Sequence, residues 1–312
     1  MVSNAENENN AGSSGGKDVR HMKRAPRVAA VHDMSGVGRC SLTVILPVLA
    51  AMGCQCNPML TAYLSAHTAF PASEHAVFLD LTEQMGQVAA HWAELGVAPD
   101  AIYSGFLGSE RQIGLLQTAI CRFRRENTLV LVDPVMGDHG RAYRTCTPDL
   151  CARMGELAAQ ADVITPNLTE AALLLGENYQ AAPDKETVRS WLERLSLEGR
   201  RSVVLTGVSA GAEQVGAASL DHTTGKMELA LTYREQGSFP GTGDLFAAVL
   251  LGGLLRGAPL GQAAADAAAF VRQCVSRTLA LATPPLEGVE FEGLLGLLTG
   301  GGALPAVIRE TL

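Results

Sequence analysis

The chain predicts an α/β fold: a mostly parallel central sheet covered by helices. Three observations carry that expectation. Short β-rich runs alternate with amphipathic stretches from Val28 onward, and apolar spacing separates the two kinds of segment. Such alternation is the rhythm of βαβ units, whose helices must pack over a parallel sheet. The chain has 312 residues with 47% hydrophobic content, enough to bury one large core. Neither a repeat nor a linker divides it, so one domain is expected over 26–300, between a polar extension at 1–25 and a C-terminal tail at 301–312.

RVAAVH (27–32) opens the series as an apolar run that ends in a glycine-bearing loop. A helix over 41–52 leads to the strand CNPMLTAYL (56–64), and a helix over 81–95 leads to AIYSGF (101–106). Helices over 110–125 and 148–159 precede TLVLVD (128–133) and DVITP (162–166), and two more, over 168–175 and 185–197, precede SVVLTG (202–207). The rhythm then changes. EQVGAASLD and KMELALTYR flank HTTG, whose glycine suits a tight turn, and the pair reads as a hairpin that extends the sheet. Helices over 243–256, 260–280 and about 288–298 close the fold. LLGLLTGGGALP loses periodicity and carries three consecutive glycines, so a frayed tail is expected there. Residues 1–25 are rich in Asn, Ser and Gly and lack apolar periodicity, the signature of a disordered extension.

A formal net charge of −8 argues against holding nucleic acid or an anionic membrane by bulk electrostatics. Seven scattered cysteines with no CxxC pair suit reduced thiols in a cytoplasmic protein. Cys54 and Cys56, with no second ligand cluster nearby, read as packing and surface thiols rather than a metal site. No long uninterrupted apolar run or signal-like N-terminus occurs, so a soluble intracellular protein is expected.

Ligands of open α/β sheets bind beyond the carboxyl ends of the strands, which directs attention to the residues that follow them. In GTGD, Gly241 and Gly243 permit backbone amides to converge on an anion at a helix N-terminus. Asp244 beside them either takes a proton from an attacking hydroxyl or caps the helix; the tetrapeptide alone leaves both open. In LVDPVMGDHG, Asp133 and Asp138 lie near the sheet rim and could organise Mg²⁺ beside phosphates, whereas His139 reads as an ordinary loop histidine. In ITPNLTEAALLL, Asn167 and Glu170 have capping-box spacing, a reading that competes with metal and phosphate binding. HDMSGVGRCS has a G-x-G without the rest of a dinucleotide fingerprint, and there is no Walker A sequence, so ATP requires a different cradle.

These motifs, in the order VHDMSGVGRCSLTVILPVLAAMG, LSAHTAFP, YSGFLGS, DPVMGD, ITPNLTEA, VVLTGV, GTGDLFAAVL, resemble the ribokinase-like superfamily and, within it, the vitamin B6 kinases, from about Arg27 to Phe291. The resemblance implies a three-layer α/β/α fold and ATP-dependent phosphorylation of the 5′-hydroxymethyl group of pyridoxal, pyridoxine or pyridoxamine with Mg²⁺; it leaves a monovalent cation requirement open and implies a homodimer. It makes Asp244 the catalytic base and Gly241, Thr242 and Gly243 the anion hole. Asp133, Thr165, Asn167, Glu170 and Thr206 would contact nucleotide or its metal, the metal falling to Asp133 and Glu170. His32, Asp33, His67, Thr68 and Phe106 would face the substrate. Two departures stand out: His32-Asp33 replaces the Ser-His of many pyridoxal kinases, so that Asp33 could pair with a pyridinium or a cationic amine, and Phe106 replaces a common tyrosine. Hydroxymethylpyrimidine kinase and a catalytically silent vitamin-binding protein are the alternatives.

Overall fold

The computed structural model describes residues 24–312, so the extension expected over 1–25 lies outside the described residues except for Arg24 and Ala25. Arg24 reaches Asp100 at 2.7 Å. The sheet has ten strands in the order β12-β11-β10-β9-β8-β5-β4-β1-β2-β3. Its centre is parallel: β1 (Arg27–Ser35) lies between β2 (Gln55–Leu64) and β4 (Ala101–Ser104), and β5 (Leu129–Val132), β8 (Val163–Ile164) and β9 (Ser202–Ser209) follow in step. The order reverses at β1, and the crevice between β1 and β4 is the topological switch point at which such sheets bind ligands.

Helices cover both faces. α2 (Thr82–Glu94), α3 (Glu110–Phe123), α4 (Pro148–Ala158), α5 (Leu168–Leu175) and α6 (Lys185–Leu195) close one apolar cluster around Trp191, Ile113, Leu116 and Val130. α1 (Leu42–Ala51), α7 (Thr242–Leu255) and α8 (Leu260–Ala280) close the other around Leu49, Phe270, Leu131 and Val204. The helix starts follow from their sequences: Ser109, Thr147 and Asp184 each accept an amide of the first turn, which satisfies a donor the helix leaves open. α7 is apolar all round because it is buried between α1 and α8.

β10 (Gln214–Leu220) and β11 (Met227–Tyr233) form the expected hairpin. Three features depart from expectation. Beyond LLGLLTGGGALP, the stretch expected to fray, the chain ends in an unexpected strand: β12 (Ile308–Thr311) pairs with β11, fastened by Lys185 to Glu310 at 2.6 Å and Arg309 to Glu228 at 2.7 Å. The helix expected over about 288–298 is a 3-10 turn, Glu292–Leu294, followed by the single turn α9 (Leu295–Leu298), since glycines at 288, 293 and 296 weaken helix propagation. The thiols are not all reduced: Cys146 and Cys151, 6.1 Å apart at their Cα atoms across the start of α4, form a disulfide, a separation within the range a bridge requires. β3 (Phe78–Asp80) and a small hairpin of β6 (Gly137–Asp138) with β7 (Arg141–Ala142) were not anticipated. Among the described residues no helix is long and apolar enough to cross a membrane.

Candidate active site

Strand alternation decides which candidates meet. Along β1, Val28 and Ala30 pack into the α1/α7/α8 cluster; along β5, Leu129 and Leu131 do so; Val163 and Val204 do so on β8 and β9. A period of two therefore turns His32, Asp133, Thr165 and Thr206 toward that same face, over which the N-terminus of α7 arrives.

Asp244 does not cap its helix. α7 has no side-chain cap, and Oδ2 of Asp244 instead accepts the backbone N–H of Ser41 at 2.7 Å, 203 residues away. Its side chain is 15% exposed, so the carboxylate is reachable from the site. Burial, chiefly, and then the charges of Asp133 and Asp33 push its pKa up to about 8, against the Ser41 amide. Ser41, in a left-handed conformation at φ 49°, also donates its hydroxyl to Oδ1 of Asp33 at 2.6 Å. One strained residue thus holds two carboxylates, the kind of outlier that only surrounding structure maintains. Asp33 leaves the regular register of β1 at an irregularity between His32 and Met34, and it accepts a second bond from Ser35 at 3.1 Å. Burial raises its pKa while the two serines oppose the shift.

The glycine turn is tight on one side and open on the other. Gly241 has φ +81°, and a Cβ there would lie 2.0 Å from the carbonyl oxygen of Arg39, whereas a Cβ at Gly243 would meet nothing within 4 Å. The turn that begins α7 therefore rests on the first loop at Gly241 and is exposed at Gly243, and a helix N-terminus left open to solvent in this way can receive an anion. Thr242 Oγ1 is turned back to the carbonyl of Phe239 at 3.1 Å, which leaves its amide rather than its hydroxyl for such a ligand.

Asp133 and Glu170 complete the acidic wall. Both are buried, at 8% and 4% exposure, and burial raises the pKa of each, with the charge of Asp133 adding to the effect on Glu170. Asp133 is the common neighbour, felt by Glu170 and by Asp244. Thr165 Oγ1 donates to Asp133 Oδ1 at 3.0 Å. The capping box is formed as its spacing predicts: Asn167 accepts from Thr169 and Glu170, and Glu170 accepts from Asn167. Glu170 also accepts the Met136 amide at 3.1 Å, and Asn167 Nδ2 donates to Gly137 at 2.9 Å, so the start of α5 anchors the DPVMGD loop. Asp138, 46% exposed, interacts with His139 and adds a smaller charge effect on Glu170.

No three His, Cys, Asp or Glu side chains among the described residues are grouped to hold a metal. Two buried carboxylates without a basic partner nevertheless suit Mg²⁺, an ion usually bound by one or two carboxylates together with substrate phosphates and water. His67 is spoken for by the backbone: Nε2 lies 2.6 Å from the Leu286 carbonyl, and Nδ1 accepts the Ala69 amide at 3.3 Å. Thr68 is exposed and Phe106 half-buried in the loop that follows β4, its carbonyl accepting from Thr61. Thr206 bridges to Asn167 along the rim. Ser41, Ser35 and Tyr103 escaped the sequence reading; Ser41 in particular looks like any serine before a helix, and its partners are remote in the chain.

Comparison with known proteins places the chain in a family. The phosphomethylpyrimidine kinase family matches residues 46–285. A pyridoxine/pyridoxal/pyridoxamine kinase of Bordetella avium is 31% identical over 256 residues, 80% of this chain and 85% of the relative. A Bacteroides thetaiotaomicron protein named a phosphomethylpyrimidine kinase and solved with pyridoxal superposes with a TM-score of 0.87 at 36% identity, covering 92% of this chain and all of the other. The pyridoxal kinase of Lactobacillus plantarum gives 0.81 at 35% identity, covering 88% and 97%. The chain belongs to the phosphomethylpyrimidine kinase family, with the ribokinase-like α/β fold of its pyridoxal kinase relatives.

Proposed function

We propose that the protein is an ATP-dependent kinase of the 5′-hydroxymethyl group of a B6 vitamer, with Asp244 as the base. The observation that carries this reading is the state of Asp244: a reachable carboxylate, held by a remote amide rather than used as a cap, beside the open face of Gly243. The vitamer's hydroxyl gives its proton to Asp244 as its oxygen bonds to the γ-phosphorus; the bond from that phosphorus to the β-phosphate oxygen breaks and ADP leaves. Phosphoryl transfer of this kind depends mostly on positioning and charge stabilisation. The amides of Gly241, Thr242 and Gly243 supply the latter at the helix N-terminus. Asp133 and Glu170 would hold Mg²⁺, which would supply neutralisation of phosphate charge there. Thr165 orients Asp133, and Asn167 and Thr206 line the nucleotide side. Asp33, buried with two serine donors, faces the vitamer's cationic nitrogen.

The named substrates of the relatives support this assignment, and the family name supports a second reading as a hydroxymethylpyrimidine kinase. Parallel assays of ADP formation with pyridoxal, pyridoxamine, pyridoxine and hydroxymethylpyrimidine separate the two. Turnover dependent on a B6 vitamer is expected. Turnover with hydroxymethylpyrimidine alone transfers the assignment to the second reading, and vitamer binding without ADP formation makes the protein a carrier.

A further inference from the structure

His32 lies in the carboxyl half of β1, three residues before its end, with no exposed surface. Its imidazole packs edge-on to Tyr103 with ring centroids 4.4 Å apart. Neither ring nitrogen has a hydrogen-bond partner. One of them, Nδ1, is 4.0 Å from Oδ1 of Asp244, the carboxylate oxygen that the Ser41 amide leaves free. Room for the ring comes from Gly105: a Cβ there would sit 2.2 Å from Cε1 and 2.5 Å from Nδ1 of His32. A buried polar group without a partner costs stability, and this one is aimed at the base.

We propose that His32 is the positioning residue of that base: an N–H of its imidazole turns to Oδ1 of Asp244 and fixes the carboxylate, ionised, in the orientation that meets the incoming hydroxyl. The inference rests on the kinase reading above. With Ser41 on Oδ2 and His32 on Oδ1, both oxygens are located and the second lone pairs remain for the substrate proton. The imidazole is suited to donating rather than to carrying charge, since burial lowers its pKa to about 3 and keeps it neutral. His32 has no exposed surface, whereas the Asp244 side chain beside it is 15% exposed. The other titratable groups near Asp244 are Asp33 on β1, Cys40 before α1, Tyr103 on β4, Asp133 after β5 and Tyr143 after β7. None of them offers the carboxylate a cation, and the two acids raise its pKa against the Ser41 amide; a second neutral donor, on Oδ1, favours the ionised form further.

The test is the pH profile of steady-state phosphorylation of pyridoxal by the wild-type protein, His32→Phe and His32→Asn, with unfolding midpoints on the same preparations. Asparagine is small enough to fit beside Gly105 and places an amide N–H near the position of Nδ1. For His32→Phe, kcat falls by roughly 10- to 100-fold, as expected for a hydrogen bond to a charged group. KM for ATP stays unchanged, and the acidic limb of kcat moves to higher pH. His32→Asn restores most of kcat and returns the limb toward wild type. Equal losses in both variants with an unmoved limb overturn the proposal in favour of packing; a raised KM for pyridoxal at normal kcat overturns it in favour of substrate contact. A wild-type protein that forms no ADP with any B6 vitamer overturns the kinase reading and this inference with it.

Discussion

Gly241 and Gly243 stand two residues apart in one turn, and the structure requires them for different reasons, so alanine at each should fail differently. At Gly241, φ is +81° and the new methyl carbon would sit 2.0 Å from the Arg39 carbonyl oxygen and 3.0 Å from its carbon. The left-handed conformation costs about 1–2 kcal/mol for an L-residue. Overlap with a backbone atom that cannot swing aside adds about 1–3 kcal/mol. Gly241→Ala should therefore lose on the order of 2–5 kcal/mol, a fall of roughly 3–8 °C in Tm for a domain of this size. At Gly243 the methyl meets nothing, and alanine in the first turn of α7 improves helix propensity by up to about 1 kcal/mol. Gly243→Ala should match or exceed wild-type stability while its methyl occupies the space a phosphate enters, raising KM for ATP and lowering kcat/KM. Differential scanning fluorimetry and initial rates on both variants check this. A Gly241→Ala protein as stable as wild type, or a Gly243→Ala protein with unchanged nucleotide affinity, refutes the reasoning.

Other outcomes follow from the same site. Asp244 has a folded pKa of about 8, above the ordinary carboxylate value near 4. Its contribution to stability is thus fully present below about pH 4 and lost as pH rises through about 8. Asp33, Asp133 and Glu170, also raised, act in the same direction. The ligand-free protein should melt lower at pH 8.5 than at pH 5, roughly by several degrees, and Asp244→Asn should flatten that slope. Asp33→Asn should lower kcat/KM for pyridoxamine more than for pyridoxal, by about tenfold or more, as loss of a buried charge partner implies; equal effects on both vitamers would remove Asp33 from recognition of the amine. Gln112, 1% exposed, donates to Thr61 and Thr82 and accepts from Gly108. Gln112→Ala should cost about 2–4 kcal/mol in urea unfolding and leave kcat of the folded fraction near wild type.

The chain's local chemistry made most of this site readable and hid one essential part. Strand-end positions could be found because an apolar run stopped by Asp133-Pro134, or by His32 before a glycine loop, marks the carboxyl edge where sheets of this class bind ligands. The alternation that turns residues 32, 133, 165 and 206 to one face was legible in the same runs. The Asn167 and Glu170 capping box was visible as a spacing and is present as a structure. What could not be read was contact between remote segments. Ser41 links Asp33 and Asp244 across 203 residues, and whether Asp244 capped its helix could be decided only by that bond. The edge strand β12 escaped because IRET has no apolar alternation and is held by pairing and two ion pairs. The Cys146–Cys151 bridge escaped because a spacing of five carries no signature of its own.

The claim on which the account stands is that the Asp244 carboxylate takes the proton of the acceptor hydroxyl. Its most direct measurement is the initial rate of pyridoxal phosphorylation by wild type and Asp244→Asn, with ATP affinity measured by calorimetry on the same samples. Loss of a positioned general base predicts a fall in kcat of about 10²–10⁴-fold with ATP binding essentially retained. An Asp244→Asn protein that turns over at a near-normal rate contradicts the account.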